Sequence, residues 1–304
     1  MLRFLSLAAL GLTVLATQAP AGERERIGYG RLIQNDFLGD GQDRWRTGSV
    51  ASSRVWARNW DGELPEDFGN ILEFRLNAEI MAPDNLVAPA AGDRPYAGSL
   101  SFGLHTHYQR KSVEMAMGLD LVATGPMTGL SDFQNALHDA LGVDRASDAT
   151  LAGQIGDGIH PTAVAEFGRT FNIGDSSELR PFVEVRAGAE TMLRAGADLS
   201  IGRVGTGELQ VRDPVSGQRY RTIQNPQEGM SFVVGGDIAK VEDSVFLPAG
   251  SGYVLSDSRK RLRAGVHWQG EKSSAFYGVT WLSEEFVGQG EGQMVGSLRL
   301  NLNF

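Results

Sequence analysis

Cysteine is absent from all 304 residues, so no disulfide holds this chain and backbone pairing and packing must do so. A basic excess is missing as well: 28 Lys and Arg against 37 Asp and Glu leave a formal charge of -9, without the positive face that a nucleic-acid binder needs. No apolar run reaches the roughly 20 residues that a membrane-crossing helix takes. Neither Gly-x-Ser-x-Gly nor His-Glu-x-x-His occurs, so the usual sequence marks of a serine hydrolase elbow and a zinc protease are lacking. No internal repeat longer than a hairpin divides the chain.

Two features stand out in what is present. Residues 1–21, "MLRFLSLAALGLTVLATQAPA", combine an early Arg3, a short apolar core and Ala19-Pro20-Ala21, the pattern of an export signal. Residues 22–304 are then the mature domain. Beyond the signal, hydrophobicity alternates with period two, the strand pattern. In "MVGSLRLNLNF", Met294, Leu298, Leu300, Leu302 and Phe304 share one face, and Ser297, Arg299, Asn301 and Asn303 the other. "RLRAGVHWQG" sets Leu262, Ala264, Val266 and Trp268 against Arg261, Arg263, His267 and Gln269.

Alternation alone also suits a soluble sandwich. The segments, however, match tilted membrane-crossing strands of roughly 9 to 11 residues. Tyr29, Trp56, Tyr108, Trp268, Tyr277 and Trp281 fall near segment ends, as interfacial girdles require. The last strand runs to Phe304, a terminal aromatic that resembles the outer-membrane assembly signal and implies the barrel-assembly machinery as a partner in biogenesis. The expected fold is an all-β antiparallel transmembrane barrel of about twelve strands, near residues 27–37, 46–58, 69–82, 95–109, 111–124, 159–172, 178–190, 192–204, 229–241, 259–270, 272–284 and 292–304. An even count closes such a cylinder without free edges. The seventh and eighth segments run together around Gly188, and the stretch from Gly205 to Gly229 is long for a periplasmic loop.

One segment breaks the rhythm. "TGLSDFQNALHDALG" spaces Leu130, Phe133, Leu137 and Leu141 helically. Ser131 and Gln134 resemble a capping box, and Gly142 is placed to stop the helix. With the N-terminus starting in the periplasm, loops 1–2, 3–4 and 5–6 all emerge on the outer side. They bring to one rim Asn35 to Thr47, "GDRPYAG" and this short extracellular helix with Gln134 and His138.

Asn35, Asp36 and Thr47 offer hard oxygens that suit calcium better than zinc; Asn, Asp and Gly are also ordinary turn formers at a hairpin tip. Asn35 and Asp36 can serve one site only if the strand ends or bulges there. Gln134 and His138 are one helical turn apart, with a cap and a solvated loop histidine as the plain alternative. His105 and His107 share a strand face at the periplasmic end, where two ligands could hold a metal.

Taken together, "QNDFLGDGQDRWRTG", "GDRPYAG" and "GPMTGLSDFQNALHDALG" resemble the lipid A 3'-O-deacylase family of outer-membrane barrels. The resemblance spans nearly the whole mature chain. It implies an ester hydrolase at the outer face of the cell outer membrane, acting on lipid A of lipopolysaccharide with calcium. It implies His138 as general base, Asn35 and Asp36 as the pair organising the ion, Thr47 beside them, and Gln134 as the helix glutamine. Gln154 matches a polar residue after the helix. Arg46 stands where many relatives have Tyr, and a lysine of the second outer loop in some members has no counterpart in "PDNLVAPAAGDRP"; Arg44 and Arg94 are the nearest substitutes in charge. Two other readings stay open: an outer-membrane phospholipase, which would need a Ser-His pair, and a catalytically silent barrel acting as pore or scaffold.

Overall fold

The computed structural model describes residues 23–225 and 227–302; the export-signal reading and Phe304 lie outside them. Fifteen strands and two helices follow in order: β1 (Glu25–Asn35), β2 (Trp45–Ala57), β3 (Ile71–Ala82), β4 (Ala97–Arg110), β5 (Val113–Thr124), α1 (Leu130–Leu141), α2 (Asp148–Ala152), β6 (Gly158–Gly168), β7 (Phe171–Gly174), β8 (Ser177–Ala187), β9 (Glu190–Gly202), β10 (Leu209–Arg212), β11 (Arg219–Ile223), β12 (Gly229–Ser244), β13 (Arg259–Gln269), β14 (Ser273–Leu282) and β15 (Gln293–Leu302). All but β10 and β11 form one antiparallel ring in which each strand pairs with its neighbours. β7 continues β6 along β8; the interruption faces Pro181, which has no N–H to give the ladder. The result is a closed barrel of twelve strands.

Every expected strand corresponds to one of these. The join at Gly188 is a tight turn between β8 and β9, with Gly188 at φ 149. A Cβ there would lie 2.4 Å from the carbonyl oxygen of Pro161, so only glycine fits. The ring closes where β1 meets β15, through Ile33, Gln34 and Asn35 opposite Leu298, Ser297 and Gly296.

The alternation works inside out relative to a soluble protein. Leu104, Leu119, Leu121, Phe232 and Leu262 are exposed on the outer wall, together with Tyr29, Trp268 and Tyr277. Arg261, Arg263, His267, Ser297 and Arg299 are buried in the lumen. A hydrocarbon solvent rewards that arrangement, and the closed ladder satisfies the backbone. No helix among the described residues is long and apolar enough to cross a membrane.

The long stretch after β9 is not a loose periplasmic loop. β10 and β11 pair as a hairpin that folds back into the lumen. Val211 and Tyr220 pack with Leu32, Ala51 and Phe276, while Leu209 and Ile223 pack with Val55, Ala57 and Ile71. Polar anchors fix it: the Tyr220 hydroxyl lies 2.7 Å from the Ser53 hydroxyl, Gln218 donates to the Ala264 carbonyl at 3.1 Å, and Arg261 donates to the Pro214 carbonyl at 2.8 Å. Arg212 reaches Glu166 at 2.6 Å and Asp198 at 2.9 Å. The "GYG" of β1 has its reason here. A Cβ on Gly28 would sit 2.5 Å from the Thr222 carbonyl oxygen, and one on Gly30 2.8 Å from that of Arg221, so the bare wall lets β11 lie flush. A cavity of about 670 Å³ remains on the periplasmic side and one of about 90 Å³ on the outer side, with Pro214 at the hairpin tip bordering both.

Candidate active site

Three outer connections meet at the rim opposite the described chain ends. The first is the β1–β2 tip. β1 ends at Asn35, so Asp36 is released from strand geometry and turns its carboxylate back under the loop. One oxygen accepts from the Phe37 N–H at 2.9 Å and the other from the Arg44 N–H at 2.6 Å. Asp36 is fully buried. Burial pushes its carboxyl up to about 8 against these two hydrogen bonds, and the negative charges of Asp43 and Asp40 push the same way. Asn35 braces the tip: its amide donates to the Thr47 carbonyl at 2.8 Å and accepts from Phe37 N–H at 2.9 Å. The Thr47 hydroxyl lies 3.4 Å from Asp36 and makes a close hydrogen bond to Asp43.

The second connection carries α1. Its N-cap is Gly129 at φ 67 with no side-chain cap, and Gly142 at φ 69 ends it. The expected capping box is therefore absent, because Ser131 already lies in the first turn, buried against the barrel. Gly98, the last residue of "GDRPYAG", leaves room for that turn; a Cβ there would meet the Thr128 hydroxyl at 2.5 Å. Ser131, Gln134 and His138 face inward, and Phe133, Leu137 and Leu141 face outward. The apolar stripe that would mark a core in a soluble protein is here exposed at the rim.

His138 has a polar neighbour at each ring nitrogen. Nδ1 lies 2.5 Å from the Asp144 carbonyl oxygen, which fixes it as the N–H donor. Nε2 lies 3.3 Å from the Asp43 carboxylate. Asn135 sets the return loop that presents this carbonyl, accepting from Ala146 N–H at 3.0 Å and donating to its carbonyl at 3.2 Å. A single line of polar groups thus runs His138, Asp43, Thr47, Asp36 across two loops about 100 residues apart in sequence. Gln134 is buried beside it, and its Oε1 has no hydrogen-bond partner. Gln154 stands apart, donating to the Leu151 carbonyl at 2.9 Å.

The third connection supplies Tyr96, whose buried hydroxyl has no partner; burial and then the carboxylates of Asp43 and Asp132 push its phenol up. Asp43, Tyr96 and the Asp144 carbonyl were not among the expected site groups. Beside Arg44 in sequence, Asp43 could serve simply as that arginine's charge partner. Arg44 instead pairs with Glu291 at 2.8 Å and Asp84 at 3.4 Å. Arg94 is fully buried on Glu285 at 2.9 Å, and Arg46 points into the lumen between Glu79 at 2.6 Å and Glu285 at 2.7 Å. None of the three arginines extends freely from the rim. His105 and His107 belong elsewhere: each lumen ring meets its own carboxylate, Asp120 at 2.8 Å and Glu73 at 2.7 Å.

Among the described residues no group of three or more His, Asp or Glu side chains is arranged by itself to hold a metal. The oxygens of Asp36, Asp43 and Thr47 nevertheless converge, and a hard cation also takes hydroxyl and water oxygens. The buried Asp36 carboxylate has two anionic neighbours, Asp43 and Asp40; the Arg44 guanidinium reaches Asp40 only at 3.8 Å and otherwise pairs with Glu291 and Asp84. Crowded carboxylates with so little positive charge beside them fit a divalent cation.

A cylinder with an apolar outer wall, a packed polar lumen and its convergent polar groups at the outward rim is an outer-membrane β-barrel protein. The family model described as outer membrane protein LpxR matches residues 4–304, and the chain belongs to that family. The solved structure of LpxR from Salmonella typhimurium superposes with a TM-score of 0.73 at 17% identity, covering 91% of this chain and 100% of that one. The β domain of the Bordetella autotransporter BrkA is a looser likeness, with a TM-score of 0.43, 10% identity and 91% and 98% coverage. No curated protein sequence matches.

Proposed function

We propose that this protein is an outer-membrane lipid A 3'-O-deacylase, which removes the 3'-linked acyloxyacyl group by ester hydrolysis. The observation that carries the reading is the orientation of His138. Because Nδ1–H donates to the Asp144 carbonyl, the neutral imidazole carries its lone pair on Nε2, on the side of the oxygen cluster of the β1–β2 tip. In that position Nε2 removes a proton from a water molecule as the water attacks the ester carbonyl. Asp43 steadies the imidazolium that results, as a carboxylate beside a protonating histidine does.

Asp36, Asp43 and Thr47 would hold a divalent cation, calcium by the hardness of their oxygens, with Asn35 bracing the loop and Gln134 bordering the pocket. The chemistry such an ion supplies when bound is positive charge for the oxyanion. The outward apolar stripe of α1 offers the acyl chains of an outer-leaflet lipid an apolar surface on the same helix that carries His138. Among the described residues no serine contacts either nitrogen of His138, which disfavours the phospholipase alternative. The lumen hairpin disfavours a pore.

The deciding experiment is incubation of purified lipopolysaccharide with the wild-type protein and with His138→Ala, each with and without chelator, followed by mass spectrometry of the lipid A. Loss of the 3'-linked acyloxyacyl mass in the wild type alone, sensitive to chelator, is the expected result. Full activity of His138→Ala rejects the role of the imidazole.

A further inference from the structure

The oxygen cluster depends on a kink in β2 that the strand ladder does not support. Trp45 opens β2 at φ 51, a left-handed conformation that strains a bulky residue. The register against β3 slips between Trp45 and Gly48, so the residues between them have no ladder partner on that side. The peptide groups on either side of Trp45 are instead held by one side chain on the far edge of the seam. Gln293, at the start of β15, accepts from the Arg46 N–H at 2.8 Å and donates to the Arg44 carbonyl at 3.0 Å. It is almost wholly buried, as is Trp45. The indole is fixed in turn by its N–H to Asp93 at 3.3 Å and by the Arg44 guanidinium 4.3 Å above its ring.

The kink does two things to the cluster. It brings the side chains of Asp43 and Thr47 into contact from either side of the bend, and it aims the Arg44 N–H at Asp36. In an undisturbed strand Asp43 and Thr47 would stand two full side-chain repeats apart, too far for a carboxylate and a hydroxyl to meet.

We propose that Gln293 is a positioning residue for the cation-binding oxygens: by bridging the two peptides around Trp45 it holds the kink that sets Asp36, Asp43 and Thr47 at one spacing. The inference rests on the reading that these oxygens hold a divalent cation. Gln293 touches neither the ion nor the ester, so its removal acts on ion affinity before it acts on turnover. Gln293→Met keeps the volume and loses both hydrogen bonds; Gln293→Asn keeps the amide, one methylene too short to reach both peptides.

The test is calcium titration calorimetry on the folded wild-type, Gln293→Met and Gln293→Asn barrels in detergent, with foldedness checked by far-UV circular dichroism. Wild type binds one ion; Gln293→Met binds about tenfold more weakly and Gln293→Asn lies between. At saturating calcium both variants recover most of the wild-type kcat with KM for the lipid unchanged. Wild-type affinity in Gln293→Met overturns the proposal and leaves the cation reading standing. Should that variant fail to fold, undiminished affinity in Gln293→Asn overturns it equally. A wild-type barrel that binds no calcium removes the cation reading and this proposal with it.

Discussion

Asp43 and His138 face each other at 3.3 Å across the outer rim, and Asp43 also bonds the Thr47 hydroxyl. One carboxylate therefore serves the imidazole and the oxygen cluster together. Asp43→Asn keeps its size and removes its charge. Activity on lipopolysaccharide is expected to fall by about 10²-fold, with the melting temperature little changed. Equal losses in Asp43→Asn and in the double variant with His138→Ala would show the two acting as a unit.

Asp36 makes ion binding depend on pH. Its carboxyl is pushed up to about 8 by burial, with Asp43 and Asp40 adding to the effect. Below that value the ion-free protein carries a proton there, and a cation must displace it. Calcium affinity is expected to rise between pH 6 and pH 8 and then level, with proton release on binding below pH 8. Titrations in buffers of different ionisation enthalpy read that release directly.

The same shift has a cost in the ion-free barrel. The unfolded chain releases this proton near pH 4 while the folded one keeps it to about 8, so stability declines as pH rises through that window. Asp36→Asn is expected to raise the ion-free melting temperature at pH 7 and to abolish its response to calcium. Thermal denaturation followed by circular dichroism, with calcium and with chelator, checks both.

Asn135 holds the loop that gives the Asp144 carbonyl to His138. Asn135→Leu frees that loop and lets the imidazole rotate or change tautomer. A loss of about tenfold in kcat with KM unchanged is expected, the cost of a misplaced base. Steady-state kinetics on a defined lipid A measures it.

The lumen hairpin separates the two cavities, and a planar bilayer can show it. The wild-type protein is expected to conduct poorly. Replacing residues 205–227 by a short turn should open steps of ion conductance while acyl release at the rim persists. Gly30→Val, which forces a side chain into β11, should lower stability by about 1–3 kcal/mol. A deletion that leaves the barrel closed to ions would show that the lumen ion pairs alone seal it.

The walls of the barrel were legible because lipid and a polar lumen demand opposite things of alternate residues. "RLRAGVHWQG" states its inside and outside without any neighbour, and strand parity alone sends Asn35, Asp36, Thr47, Gln134 and His138 to one rim. β10 and β11 were not legible. They are four and five residues long, and both their faces meet lumen rather than one lipid and one water, so Arg221 and Thr222 are as deeply buried as Ile223. The contact of Asp43 with His138 was hidden for another reason: it depends on how two distant loops pack. The Asp144 carbonyl has no residue-type signature at all. Gln293, an ordinary position in a strand pattern, is recognisable only from the kink it bridges.

Among the described residues the seam between β1 and β15 joins only Ile33, Gln34 and Asn35 to their partners, whereas β14 meets β15 along ten. The hoop is therefore stitched most thinly where its first and last staves meet. Lower on β1, the hairpin laid against Gly28 and Gly30 does the job of an internal rivet. Heat or pulling force should part the cylinder there first, unrolling it from its two ends while the middle staves stay locked together.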